Sequence, residues 1–169
     1  MNTGQMLITV GAMMLISILV LRISSTQLTT QDSMQNSKFG ILAISLAGSL
    51  LEQASQKAFD EASTDNFVSS LNLLSSKGDF GGGKETGEIA GVLNTFDDYD
   101  DFDNYTNIDS TMPSATFEIH CTVDYVDPSL PGFISANKTW HKMMTVTITS
   151  TSMTDAVTLR KVFSYWKLP

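Results

Sequence analysis

The stretch Met6-Leu-Ile-Thr-Val-Gly-Ala-Met-Met-Leu-Ile-Ser-Ile-Leu-Val-Leu21 decides how this chain is read. It is apolar apart from Thr9 and Ser17, and no Asp, Glu, Lys or Arg lies between Met1 and Leu21. About 20 apolar residues in a helix span the hydrocarbon core of a bilayer, so the stretch is just long enough. Ser and Thr can return their hydroxyls to the helix backbone and do not spoil the span. Three roles fit it: a cleaved secretory signal, a permanent single-span anchor, or a helix that leaves the bilayer to pack against copies of itself. A signal has a basic start and a shorter apolar core, and Met1 to Gln5 carries no Lys or Arg.

The sequence beyond Arg22 favours the third role. Ile23 to Ser37 is polar and uncharged except for Asp32, with Ile23, Leu28 and Met34 at loose helical spacing. A second apolar run, Phe39 to Leu51, is short for a span and suits a helix buried against protein. Glu52 to Ala62 then reads as an amphipathic helix. No proline precedes Pro113, so the spacing predicts one long helix over most of residues 1 to 62. At 1.5 Å per residue it would be on the order of 90 Å long.

The expected organisation is a hydrophobic membrane or filament-core helix at 1–22, its continuation at 23–62, a variable loop region with an acidic segment at 63–115, and an antiparallel sheet at 116–169. The net charge is −8, and all 18 acids lie after residue 31. That excludes nucleic acid as a partner and excludes a polybasic membrane patch. The single cysteine, Cys121, rules out an internal disulfide.

In the middle third, Ser63 to Leu74 is expected to be a short helix with Phe67, Val68, Leu71 and Leu74 on its apolar face. Gly78 to Lys84 is flexible by composition. Phe96-Asp-Asp-Tyr-Asp-Asp-Phe-Asp-Asn-Tyr105 interleaves five acids with aromatics. Two readings stand for it. One is a solvated acidic loop pinned by Tyr99, Phe102 and Tyr105. The other is a calcium site formed by Asp97, Asp98, Asp100, Asp101 and Asp103, since oxygen ligands suit that hard cation. The spacing departs from the helix–loop–helix calcium pattern, with Tyr105 and Thr106 at its fifth and sixth positions. No other cofactor is expected.

The last third alternates as strands do. Phe117, Ile119, Cys121, Val123 and Tyr125 share one face of Thr116–Tyr125. Met144, Val146 and Ile148 share one face of Trp140–Ser150. Val157, Leu159, Phe163 and Tyr165 share one face of Ala156–Trp166, with Lys161 among them and Val162 and Trp166 opposite. Three strands with one apolar face need a cover. The cover expected is the helix face carrying Leu46, Leu50, Ala54 and Ala58, flanked by Ala47 and Leu51. The fold class is therefore α+β: a long N-terminal helix, hydrophobic in its first half, packed by its second half on a C-terminal antiparallel sheet of three to four strands.

Catalysis finds little support. His120 and Cys121 are adjacent in a strand and point to opposite faces, so they make no nucleophile pair. His141 is the only other histidine. Gly81-Gly82-Gly83 lacks the residues of a phosphate-binding loop. Trp140 and Trp166 serve either as interface anchors or in sheet packing.

This order of parts resembles the type IV pilin superfamily, which includes pilins and the pseudopilins of type II secretion. The layout is similar over the whole chain, and anything like a motif is confined to the N-terminal third. In one framing Met1 and Thr3 resemble the start of the family's mature chain and Gln5 stands where the family carries glutamate; in a second, Gly4 precedes the cleavage, the chain starts at Gln5 and Thr9 takes that place. The resemblance implies a filament core built by Met6, Leu7, Val10, Met14, Leu15, Ile18 and Leu21, with Gln5 at the position that meets a neighbour's N-terminal amine. It also implies a prepilin peptidase, a stay in the cytoplasmic (inner) membrane before assembly, and an extracellular homopolymer afterwards. A basic leader ahead of Met1, removed in processing, would place the body outside the cell.

Overall fold

The computed structural model describes residues 2–112, 114–127, 129–130 and 132–166. A helix α1, Thr3–Ser55, is followed by loops with single 3-10 turns and then by four strands. The chain divides into two units, residues 1–38 and 39–169.

The first unit is helix. Thr9, Ser17, Ser25, Thr26, Thr29, Thr30 and Ser37 each donate a hydroxyl hydrogen bond to a carbonyl three or four residues back. These residues therefore sit in a helix without leaving a polar group unsatisfied.

In the second unit, the strands β1 (Thr106–Asp109), β2 (Phe117–Tyr125), β3 (His141–Thr149) and β4 (Val157–Ser164) form an antiparallel sheet in the order β1-β2-β3-β4. Burial on β2 follows the predicted alternation, with Phe117, Ile119, Cys121, Val123 and Tyr125 buried. On β3 the core face holds Lys142, Met144, Val146 and Ile148. The C-terminal part of α1 lies on this face and shares its core. Phe39 meets Phe117 edge-on at 6.5 Å between ring centroids. Lys161, the charge that interrupts the apolar face of β4, pairs with Glu52 of α1 at 2.8 Å. The α+β class and the packing of the helix on the sheet thus follow the sequence reading.

Several details differ. The helix ends at Ser55, short of residue 62. Its buried stripe is Phe39, Ala43, Ala47, Leu50, Leu51 and Ala54, while Leu46 is only partly buried and Ala58 lies beyond the helix. Ala43, Ala47 and Ala54 are fully buried. Small side chains let the helix backbone approach the sheet, so the contact centres on alanines rather than on Leu46. β1 was not expected. Four residues, Thr-Asn-Ile-Asp, carry no strand pattern of their own, and the ladder to β2 from Thr106↔His120 to Asp109↔Phe117 makes them a strand.

Ser63 to Leu74 is not a helix. It holds one 3-10 turn, Leu71–Leu73, capped by Ser70, whose hydroxyl accepts from Asn72 N. Polar side chains of this kind compete for the backbone groups a helix would use. Val68 and Leu74 are buried as predicted, whereas Phe67 is 55% exposed. The glycines after Phe80 are packing residues rather than a spacer. The amides of Gly81 and Gly82 donate to the carbonyls of Asp100 and Asp101 at 3.0 and 2.8 Å. Gly81 has φ +107°, and a Cβ on Gly82 would stand 2.1 Å from the Phe96 ring.

Candidate functional site: an unpartnered apolar helix and a buried lysine–carboxylate centre

Two features stand out, one in each unit. The first is the apolar part of α1. Met6, Leu7, Val10, Met14, Leu15, Ile18 and Leu21 are exposed by 60, 75, 47, 64, 71, 56 and 69%. Met13, Ile16 and Leu19 on the remaining sides are equally bare. The span is long and apolar enough to cross a membrane, and no part of it is buried within the chain. Gln5 lies in the first turns of the helix, with its carbonyl accepting from Thr9 Oγ1 at 3.1 Å. Met1 lies outside the described residues.

The second feature is built on Lys142, whose ammonium is fully buried. β3 places it on the core face by simple alternation with Met144, Val146 and Ile148. Its register partners on either side are Tyr125 of β2 and Phe163 of β4. Two loops bring carboxylates to it. Asp60 caps the 3-10 turn Glu61–Ser63, and Asp100 opens the 3-10 turn Asp100–Phe102. A parallel bridge between Ala58 and Asp98, with Ala58 N donating to Asp97 O at 3.1 Å, ties the two loops side by side. Lys142 Nζ donates to Asp60 Oδ2 at 2.7 Å, to Asp100 Oδ1 at 2.5 Å and to Phe59 O at 2.8 Å. All three protons of the ammonium are thereby used. The rings of Phe59, Phe80 and Tyr125 surround it, with centroids at 4.7, 4.7 and 5.5 Å.

Asp60 is held by further donors. Ser75 N reaches its two oxygens at 2.9 and 3.1 Å, Ser75 Oγ lies at 3.1 Å, and Ala62 N donates at 3.2 Å. Asp100 is held differently. Burial pushes its carboxyl up to about 6 against the opposing pull of Lys142. Asp98 lies beside it. Burial, and then the carboxylates of Asp100 and Asp101, push Asp98 up to about 10, so it keeps its proton at neutral pH.

The reading of residues 96 to 105 as a solvated loop is therefore incorrect. Tyr99, Phe102 and Tyr105 are buried as anchors, but so are Asp98, Asp100, Asp101 and Asp103, and only Asp97 is exposed. Each buried acid has a structural task. Asp98 Oδ1 accepts from the amides of Asp100 and Asp101, and Asp101 Oδ2 from those of Asp97 and Asp98. Asp103 accepts from Val123 N at 2.8 Å and pairs with Lys77 at 2.8 Å. The five aspartates do not converge on one point. Carboxylate oxygens come together instead as Glu85–Glu88–Asp101 and Glu61–Glu85–Asp97, each set within 4.8 Å. Only Asp97 and Asp101 of the five take part. Burial, then the neighbouring Glu61, pushes Glu85 up to about 8. Burial, then Asp101, pushes Glu88 up to about 7.

Cys121 is fully buried, its thiol pushed up to about 12, and His120 faces the other way. His141 Nδ1 lies 2.7 Å from Ser164 Oγ, a pair made by the β3–β4 register that the sequence reading missed. No carboxylate orients that imidazole among the described residues. Trp140 stacks on Tyr165 at 5.4 Å, whereas Trp166 is 84% exposed.

The fold defines a class: a long apolar N-terminal helix packed by its later part on an antiparallel sheet, an arrangement compatible with a pilin-like fold. Comparisons with protein-family models, with curated proteins and with solved structures find no match to this chain.

Proposed function

We propose that this protein is a structural subunit that polymerises through its N-terminal helix into an extracellular type IV pilus-like filament. The observation that carries the reading is the apolar helix from Met6 to Leu21, bare on every side. A helix without a polar face needs apolar surroundings all round, from lipid or from like helices. Held first in the cytoplasmic membrane, it would exchange lipid for helix contacts at small apolar cost. The helix also continues as Ile23 to Ser37, which no bilayer requires. That stretch is almost uncharged and returns its hydroxyls to its own backbone, so it too can be enclosed by neighbouring helices. By resemblance, a prepilin peptidase would process the chain.

The same bare helix also suits a single-span anchored domain that never polymerises, and a minor pilin or type II secretion pseudopilin. Shearing intact cells and centrifuging the medium separates these. A filament subunit pellets from the sheared medium and shows fibres in electron micrographs. Retention of all the protein in the membrane fraction would refute the polymer.

A further inference from the structure

We propose that Lys142 and Asp100 condense to an intramolecular amide, so that the mature protein carries a covalent cross-link between β3 and the loop of residues 96–105. The inference stands on the geometry of the buried centre and does not rest on the filament reading.

The amine and two carboxyls lie within hydrogen-bond range, with side-chain exposures of 0% for Lys142, 0% for Asp60 and 4% for Asp100. A centre this dry removes the water that would otherwise hold the ion pair apart or reverse the reaction. Removal from water raises the cost of keeping two opposite charges rather than a neutral amine and a neutral acid. Proton transfer from the Lys142 ammonium to Asp100 gives a neutral amine facing a neutral carboxylic acid. Nζ is already 2.5 Å from Oδ1, one bond from Cγ. Fixed contacts of this kind supply effective molarities of about 10⁵–10⁸ M to an intramolecular reaction.

The two remaining acids divide the proton transfers. Lys142 Nζ forms a bond to Asp100 Cγ, giving a tetrahedral adduct. The Asp98 carboxyl, held beside Asp100 by the Asp100 amide that donates to its Oδ1 at 2.8 Å, stabilises the developing oxyanion. Asp60 Oδ2, at 2.7 Å from Nζ, takes a proton from the nitrogen and returns it to the departing hydroxyl. The C–O bond breaks and one water leaves. Ammonium plus carboxylate become amide plus water, with no oxidant or second reactant. Asp60 suits the role of base because Ser75 and Ala62 hold it in place. After reaction the amide N–H keeps its hydrogen bond to Asp60. The link would close a loop of 42 residues and fasten the acidic loop to the sheet against pulling.

The test is mass spectrometry of the full chain purified in mild detergent. The wild type should weigh one water less than its processed sequence. Trypsin should fail to cut after Lys142 and should release a branched peptide joining that segment to the one containing Asp100. Lys142→Arg and Asp100→Ala should carry the full mass, and Asp60→Ala should carry it while keeping wild-type tryptophan fluorescence. A folded wild type of full mass, cut normally after Lys142, overturns the proposal. A branch at Asp60 overturns the assignment of roles, as does complete water loss in Asp60→Ala. The wild-type mass decides the bond whether or not the variants fold.

Discussion

Replacing Leu50 by alanine tests whether the C-terminal part of α1 belongs to the folded body. Leu50 is 7% exposed and lies in the same core as Ile119, Val123, Val146 and Ile148. The substitution removes three carbons, worth about 0.8 kcal/mol each in lost burial, or about 2.4 kcal/mol together. The cavity left among partly rigid neighbours raises this towards about 4 kcal/mol. Domains of this kind are stable by about 5–15 kcal/mol, so the variant should lose a large share of its stability. Ile41, on the opposite side of the same helix, is 64% exposed. Ile41→Ala should cost less than about 0.5 kcal/mol. Guanidinium unfolding of the full chain in mild detergent measures both, with Trp140, stacked on Tyr165, as the fluorescent reporter. Equal midpoints for the two variants would refute the shared core, and the long-helix reading would fall with it.

Leu15→Arg and Ile18→Glu should abolish filaments while leaving the body folded, because a charge at mid-span costs at least about 2.5–3.5 kcal/mol and would be enclosed again in a packed bundle; normal fibres in micrographs would contradict this. Gly82→Ala should destabilise by about 1–3 kcal/mol, since its Cβ meets Phe96 at 2.1 Å, whereas Gly78→Ala adds a methyl to open space and should leave the melting midpoint unchanged. Glu85 and Glu88 bind protons more tightly when folded than the ordinary carboxylate value of 4.5. Their contribution is therefore fully present below that value and is lost as pH rises through about 7 to about 8. Thermal melts should show a falling midpoint across that window, and Glu88→Gln should flatten the fall. Chelator should leave the melting midpoint unchanged at neutral pH; a drop restored by calcium alone would make the Glu85–Glu88–Asp101 cluster a cation site.

The layout was legible in the sequence because periodicity carries it. Sixteen residues from Met6 to Leu21 without a charge make an apolar helix wherever the rest of the chain goes. Strict alternation in Phe117 to Tyr125 commits one face to a core. Lys142 falls in step with Met144, Val146 and Ile148, yet the sequence reading passed over it, because a lysine at a core position has no meaning until its partners are known. Those partners, Asp60 and Asp100, stand 82 and 42 residues away, in loops whose sequences do not announce where they fold. Only the bridge between Ala58 and Asp98 and the registers of β3 bring them together. The acidic segment shows the same limit. Five aspartates in seven residues look solvated, because the penalty of burying a charge is visible in the sequence. The backbone amides, Lys77 and Lys142 that offset it come from elsewhere in the chain. The tertiary structure also decided the glycine run and β1, whose order comes wholly from contacts with Phe96, with the carbonyls of Asp100 and Asp101, and with β2. Local pattern sets which faces are apolar; charge burial and edge pairing depend on distant groups, and those are fixed only when the chain closes on itself.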